Sequence, residues 1–118
     1  MDTKALANAT IAGTVLQLVM VVSGHFVPFI ALHDFMWGGM GISALAGFLY
    51  GRGVRGLGSA AIGGAVAGGV CAVIGIAVSV VLGDTPAMIL AFGTISSCVT
   101  GAVGGAIGQM LSGTRATA

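Results

Sequence analysis

Residues 39–51 read GMGISALAGFLYG, with a small residue at every fourth position, and the pattern returns 54 residues later as GTISSCVTGAVGG at 93–105. The two sets match type for type: Gly39, Ser43, Gly47 and Gly51, then Gly93, Ser97, Gly101 and Gly105. A spacing of four puts small residues on one helix face, where a second helix can approach closely in an apolar environment. A third apolar segment carries Gly64 and Gly68 at the same spacing. These stretches predict small-xxx-small helix packing, a glycine zipper, and contain no catalytic signature.

The composition indicates an integral membrane protein. Hydrophobic residues make up 57% of the 118 residues and charged residues only 6%, whereas soluble domains carry about 25% charged residues. A chain this short cannot bury so much apolar surface in a soluble core. The net charge of +1 offers no basic surface, so no nucleic-acid partner is expected and the lipid bilayer is the expected surrounding.

Four apolar segments follow one another, separated by short polar breaks. They cover approximately residues 6–32, 35–51, 57–83 and 87–111. The segments do not alternate polar and apolar residues as barrel strands do, and helices are the other structure that satisfies the backbone in lipid. We therefore predict a single all-α domain over residues 1–118 with four transmembrane helices. The second helix is short for a span, and Trp37 and Tyr50 near its ends are predicted interfacial aromatics.

The repeated motif raises the question of internal duplication. Helices two and four would run in the same direction, as in two parallel helical hairpins related by an axis along the membrane normal. Helices one and three align poorly at the same offset, because Gln17 falls on Cys71 and His25 on Ser79. Coincidence in a chain with 22 glycines is the alternative, and the sequence leaves both open.

Gln17 and His25 are the polar residues of interest in the first segment. Gln17 is interpreted as an interhelical hydrogen-bonding residue, with pore lining as the alternative. His25, the lone histidine well inside a predicted span, suggests a proton relay, a metal or haem ligand, or a pore lining. Because no carboxylate lies inside a predicted span, we favour a neutral imidazole bonded to a neighbouring hydroxyl or backbone carbonyl.

The remaining reactive residues give no enzyme motif. Cys71 and Cys98 fall at a similar depth and are expected to be small buried hydrophobes rather than a disulfide. His33, Asp34 and Asp84 lie in the predicted outer loops and are expected to be solvated, since their spacing matches no metal motif. The sequence contains no CxxC, nucleophile elbow, phosphate loop or paired carboxylate. We expect no enzyme activity, no metal site and no cofactor.

Two functions remain as expectations. The leading one is a non-catalytic packing or assembly subunit of a homo-oligomer or a larger membrane complex, because the small-residue faces exceed what one four-helix bundle needs. The alternative is a small oligomeric channel or transporter whose path is lined by Gln17 and His25. An integral-membrane enzyme is a distant third.

The positive charges fall on one side of the predicted topology. With four spans, both termini and the middle loop share a side, and that side holds all the cations: Lys4, Arg52, Arg55 and Arg115. The two opposite loops hold Asp34 and Asp84 instead. The positive-inside rule then places the N- and C-termini in the cytoplasm of a cell whose inner (plasma) membrane holds the protein.

Reporter fusions test this topology. Fusions at residue 54 and at the C-terminus are expected to be active on the cytoplasmic side, and a fusion in the Asp84 loop on the outer side. A C-terminus on the outer side would contradict the predicted orientation.

Overall fold

Four helices make up the chain in a computed structural model, which describes residues 3–27 and 35–117 and the side chains of 3–27 and 38–112. They are α1 (Thr3–Phe26), α2 (Phe35–Gly51), α3 (Leu57–Val81) and α4 (Met88–Thr117). Within these ranges the structure contains no strand. The first helix begins at Thr3 rather than at residue 6, and the fourth continues past residue 111. The end of the first predicted segment, residues 28–32, lies outside the described residues.

Three of the helices are long and apolar enough to cross a membrane: Thr3–Phe26, Leu57–Val81 and Met88–Ser112. This confirms the predicted class of helical membrane protein. Helix α2 has 17 residues, about 25 Å at the helical rise, against a hydrocarbon thickness of about 30 Å. Its status as a fourth span remains a prediction.

Helices α2 and α3 form the centre of the bundle. Helix α1 packs against both on one side and α4 packs against both on the other. Among the described residues, no Cα of α1 comes within 8 Å of a Cα of α4. We call the end where α3 passes into α4 the Asp84 end, and the end where α2 passes into α3 the Arg52 end. A twofold axis that exchanges the two hairpins would produce an α1–α4 contact equivalent to the α2–α3 contact. The described helices lack that contact and so do not show this symmetry. The duplication therefore also remains a prediction.

The two copies of the repeated motif meet each other toward the Arg52 end. A Cβ added to Gly47 would overlap the carbonyl group of Gly101, and one added to Gly51 would overlap that of Gly105. Both pairs advance in the same chain direction, so α2 and α4 are parallel neighbours. We call these four residues the glycine seam. Hydrogen side chains are required there because the two backbones occupy the space of a methyl group.

Helix α3 covers the glycine seam from a third side, running antiparallel to α4. A Cβ at Gly64 would collide with the carbonyl of Gly101, and one at Gly68 would crowd the carbonyl of Ser97. A second row of glycines on α4 was not predicted from the sequence. There Gly104 and Gly108 lie against the carbonyl groups of Ala44 and Phe48 on α2.

The other ends of the two motifs separate. A Cβ at Gly39 would contact Gln17 and Met20 of α1, whereas one at Gly93 would meet the Ile76 side chain of α3. The faces of α2 and α4 that touch at the glycine seam therefore turn to different neighbours toward the Asp84 end. This divergence leaves space between the helices at that end.

Small residues fill the interior, and large apolar side chains face outward. Fully buried positions include Ala46, Ala60 and Ala67, whereas Val81 and Phe92 are among the exposed large side chains. This inverted distribution suits a bundle whose exterior contacts lipid, because the surrounding solvent is itself apolar.

Tyr50 has the largest fully buried side chain among the described residues. It was predicted as an interfacial aromatic, but its side chain is completely buried. The ring lies over Gly63, where a Cβ would overlap it. The expectation was wrong in placing Tyr50 at the lipid interface, because the missing side chain of Gly63 makes room for the ring inside the bundle. The side chain of Trp37 lies outside the described part of the chain.

Gly→Ala substitutions at two positions of α2 provide a matched test of the glycine seam. Gly47→Ala is expected to lower the free energy of unfolding by about 1–3 kcal/mol, because the methyl group forces the backbones apart. Gly41 has no neighbour within 4 Å of an added Cβ, so Gly41→Ala is expected to be neutral or to stabilise by up to about 1 kcal/mol. Unfolding in mixed detergent micelles, followed by circular dichroism, measures both. Equal stability of the two variants would contradict the close α2–α4 contact.

Candidate functional site: a cavity at the Asp84 end

Gln17 joins α1 to α2 at the centre of the bundle. Its side-chain Nε2 donates to the carbonyl oxygen of Gly39 at 3.0 Å and to the hydroxyl of Ser43 at 3.3 Å. The residue is only 2% exposed. Both bonds cross between helices, which is the role that the sequence analysis favoured for this residue.

The Ser43 hydroxyl extends the connection to α3. It donates to the Gly68 carbonyl oxygen at 3.2 Å, and the Cys71 thiol donates to the same oxygen at 3.3 Å. Ser43 and Cys71 are both fully buried. A buried polar group is costly unless it is hydrogen-bonded, so this connected set joins three helices without leaving either residue unpaired.

The amide oxygen of Gln17 lacks the hydrogen-bonding partners that its nitrogen has. Gly39 offers only a carbonyl acceptor at this contact, which fixes the amide with Nε2 toward α2. Oε1 receives no hydrogen bond from any residue that the structure describes. Gly75 makes room for the side chain, since a Cβ there would come within 2.9 Å of the Gln17 Cβ.

Gln17 forms the inner limit of a cavity of about 310 Å³ at the Asp84 end. The walls are mainly apolar and come from all four helices: Met20, Val21, Met40, Ala72, Ile76 and Ile89. Four further lining residues carry polar side chains: Ser79, Asp84, Thr85 and Ser97. The cavity occupies the space left where α2 and α4 diverge beyond the glycine seam.

The turn that closes this end is built by the C-terminus of α3. The backbone N–H of Asp84 donates to the carbonyl of Ser79, and that of Gly83 donates to the carbonyl of Val80. With Gly83 at φ 81°, this is a Schellman arrangement, which requires the left-handed conformation that glycine adopts easily. The Ser79 and Thr85 hydroxyls are 2.5 Å apart and hold the turn to the helix.

His25 ties this turn to the end of α1. Its Nδ1 lies 2.8 Å from Oδ2 of Asp84, and the two side chains are 35% and 23% exposed. The sequence analysis expected His25 to lack a carboxylate partner and Asp84 to be a solvated loop residue. The expectation for His25 was wrong, because the chain folds the start of the α3–α4 turn back over the end of α1. Asp84 is an exposed turn residue as expected, and its carboxylate also pairs with His25. His33 and Asp34 lie outside the described residues.

Cys71 on α3 and Cys98 on α4 lie in different parts of the bundle. Cys71 belongs to the polar set around Gln17, whereas the sulfur of Cys98 lies against Gly69. Both are free thiols. Among the described residues there is no group of three or more His, Cys, Asp or Glu side chains able to hold a metal ion.

No protein-family model, curated protein or solved structure matches this chain. The cavity and the groups that line it are therefore the basis for a functional proposal.

Replacement of Gln17 tests the interhelical bonds. Gln17→Met keeps the side-chain volume and removes both donated bonds, so the free energy of unfolding is expected to fall by about 1 kcal/mol. Thr14→Val on the same helix is the control, because the Thr14 hydroxyl is buried and has no partner among the described residues. Detergent unfolding of the two variants measures the difference. A Gln17→Met variant as stable as Thr14→Val would contradict the bonding role.

A double-mutant cycle tests the His25–Asp84 contact. His25→Leu, Asp84→Ala and the double variant are expected to give a coupling energy of about 0.2–1 kcal/mol, the range for partly exposed pairs. Thermal unfolding in one detergent supplies the three differences. Strictly additive effects would show that the two side chains do not interact in the membrane protein.

Proposed function

We propose that the chain is a non-enzymatic, solute-binding subunit of a membrane transport system, and that the cavity at the Asp84 end is where the solute binds. The observation that carries this proposal is the combination of a mainly apolar wall with a few convergent polar groups. That combination is typical of small-molecule sites, and about 310 Å³ lies at the small end of their usual range. The cavity therefore suits a small solute.

The proposed membrane placement uses α2 as a fourth span. The short helix lies beside its longer neighbours, from the contact of Gly39 with Gln17 to the contact of Gly51 with Gly105. Small adjustments of lipid thickness or helix tilt accommodate a difference of a few ångströms. The four spans then form two hairpins, and the pairing of Gly47 and Gly51 with residues 54 positions later supports their origin by duplication.

The proposed orientation directs the cavity away from the cytoplasm. Arg52 lies at the end of the bundle opposite the cavity, where its carbonyl oxygen accepts a hydrogen bond from Ser112. Ala5, near the start of α1, lies close to Gly53 at the same end. The cations near these positions favour the cytoplasmic side. A solute would then enter from the outer side.

The packing of the Arg52 end favours a binding step over an open pore. Inward of Gln17, the polar contacts at Ser43 and Gly68 are followed by Tyr50 over Gly63 and by the glycine seam. An open channel needs a continuous polar path, and backbones in direct contact leave no such path within one chain. His25 does not line a path in the middle of the span; it contacts Asp84, which lines the cavity at its outer end.

An assembly subunit is the second candidate. The sequence suggested surplus small-residue faces, but the glycine seam lies inside one chain and leaves no surplus there. What favours assembly is an apolar groove between α3 and α4, lined by Val66, Gly69, Val73 and Cys98 among others. Native mass measurement in mild detergent tests this candidate, since a single chain has a mass of 11.4 kDa.

Methionine methyl NMR can test solute binding inside the cavity. Met20 and Met40 line it, whereas Met88 and Met110 are exposed on the outside and report simple partitioning into lipid. In lipid nanodiscs, saturable shifts of the Met20 and Met40 methyl signals are expected on addition of 1-butanol or its isomer diethyl ether. Shifts no larger than those of Met88 and Met110 for both compounds would contradict the proposed function.

A matched pair of substitutions on α3 supplies the control. Ala72 lines the cavity and Ala65 lines the groove on the other side of the helix. Ala72→Leu is expected to fill part of the cavity and abolish the saturable shifts, whereas Ala65→Leu is expected to preserve them. Loss of the shifts in both variants would indicate a general change of packing rather than a blocked site.

A further inference from the structure

We infer that the cavity selects a small, mainly apolar molecule bearing an O–H or N–H donor, such as a short alcohol or primary amine, and that the donor binds Oε1 of Gln17. This inference rests on the proposed solute-binding function and adds the chemical class of the ligand. It follows from the balance of donors and acceptors in the cavity.

The acceptor at the inner end of the cavity is the Gln17 amide oxygen. The residue is 2% exposed and both amide hydrogens are directed to α2. Oε1 is left without a donor from the described residues although Gln17 lines the cavity. An acceptor without a partner in a mainly apolar cavity is costly, so a ligand that donates there gains more than one that cannot.

The other polar groups strengthen this bias. Asp84 uses Oδ2 for His25, and its carboxylate has a second oxygen that accepts hydrogen bonds only. One of the Ser79 and Thr85 hydroxyls donates to the other, which leaves one O–H of the pair able to donate. Ser97, 3% exposed, contributes a hydroxyl that can donate or accept. Acceptor sites therefore outnumber donor sites along the cavity.

The walls define the rest of the ligand. Thioether and aliphatic side chains such as Met20, Met40 and Ile76 surround the space between Gln17 and Asp84. An apolar body gains by leaving water for this lining. The walls offer little to a sugar or a phosphate, whose many polar groups would lose water without finding partners. Short carbon chains with one polar end fit both the volume and the chemistry.

Two isomers distinguish a preference for hydrogen-bond donors from binding of any small apolar molecule. 1-Butanol and diethyl ether share the formula C₄H₁₀O, but only the alcohol can donate a hydrogen bond. Methyl titrations of Met20 and Met40 in phosphatidylcholine nanodiscs are expected to show about tenfold tighter binding of the alcohol. The phosphatidylcholine headgroup has no O–H or N–H donor, so it does not compete for Oε1.

Variants assign the preference to Gln17. Gln17→Met is expected to reduce the preference for alcohol to within about twofold while ether binding persists. Thr94→Val, which changes a residue lining the groove instead of the cavity, is expected to keep the full preference. Retention of the preference in Gln17→Met would overturn the assignment to Oε1.

The outcomes distinguish the two levels of the proposal. Equal affinity of the wild-type protein for both isomers would overturn the ligand class and leave solute binding intact. Binding of neither isomer, as in a cavity that holds only water, would overturn solute binding and the inference with it. Addition of phosphatidylethanolamine, whose headgroup carries an amine donor, tests the lipid as source. Competition with 1-butanol at Met20 would assign the donor to a lipid, and its absence supports a free solute.

Discussion

The backbone contact between α2 and α4 at the glycine seam is the constraint on which the rest of the structure depends. At Gly47 and Gly101 the two helices touch where no side chain fits. Such an approach maximises van der Waals contact between helices in lipid, where the hydrophobic effect does not drive association. It also fixes α2 and α4 as parallel neighbours, so the α1–α2 and α3–α4 hairpins must lie side by side.

The cavity is a geometric consequence of this contact. Helices held together at one end and directed to different neighbours at the other must diverge, and the α3–α4 turn lines the outer end of the space between them. Gln17 lies where the packed half meets the open half, so its amide serves both. The nitrogen joins the helices, the oxygen accepts no hydrogen bond from the described residues, and the residue lines the cavity. In the proposed function, stability and solute binding therefore depend on the same side chain.

Part of this site was predictable and part was not. Gln17 was identified because an amide in the middle of an apolar helix must find a partner, and such residues are rare enough to notice. His25 was identified for the same reason, but its partner Asp84 is 59 residues away. Sequence spacing within one helix carries no information about such a pair. Ser97 was assigned to packing, since only the divergence of α2 and α4 brings it to the cavity wall.

The sequence by itself determined the class of protein, its helices and which faces carry small residues. Those properties follow from composition and from periodicity along one chain, which are local. Only the tertiary structure decided that Gly47 meets Gly101, that Tyr50 turns inward over Gly63, and that α1 and α4 stay apart. A small-residue face permits close approach by any helix with a similar face. The choice of partner depends on how all the side chains of the bundle pack together, and that is a property of the whole fold.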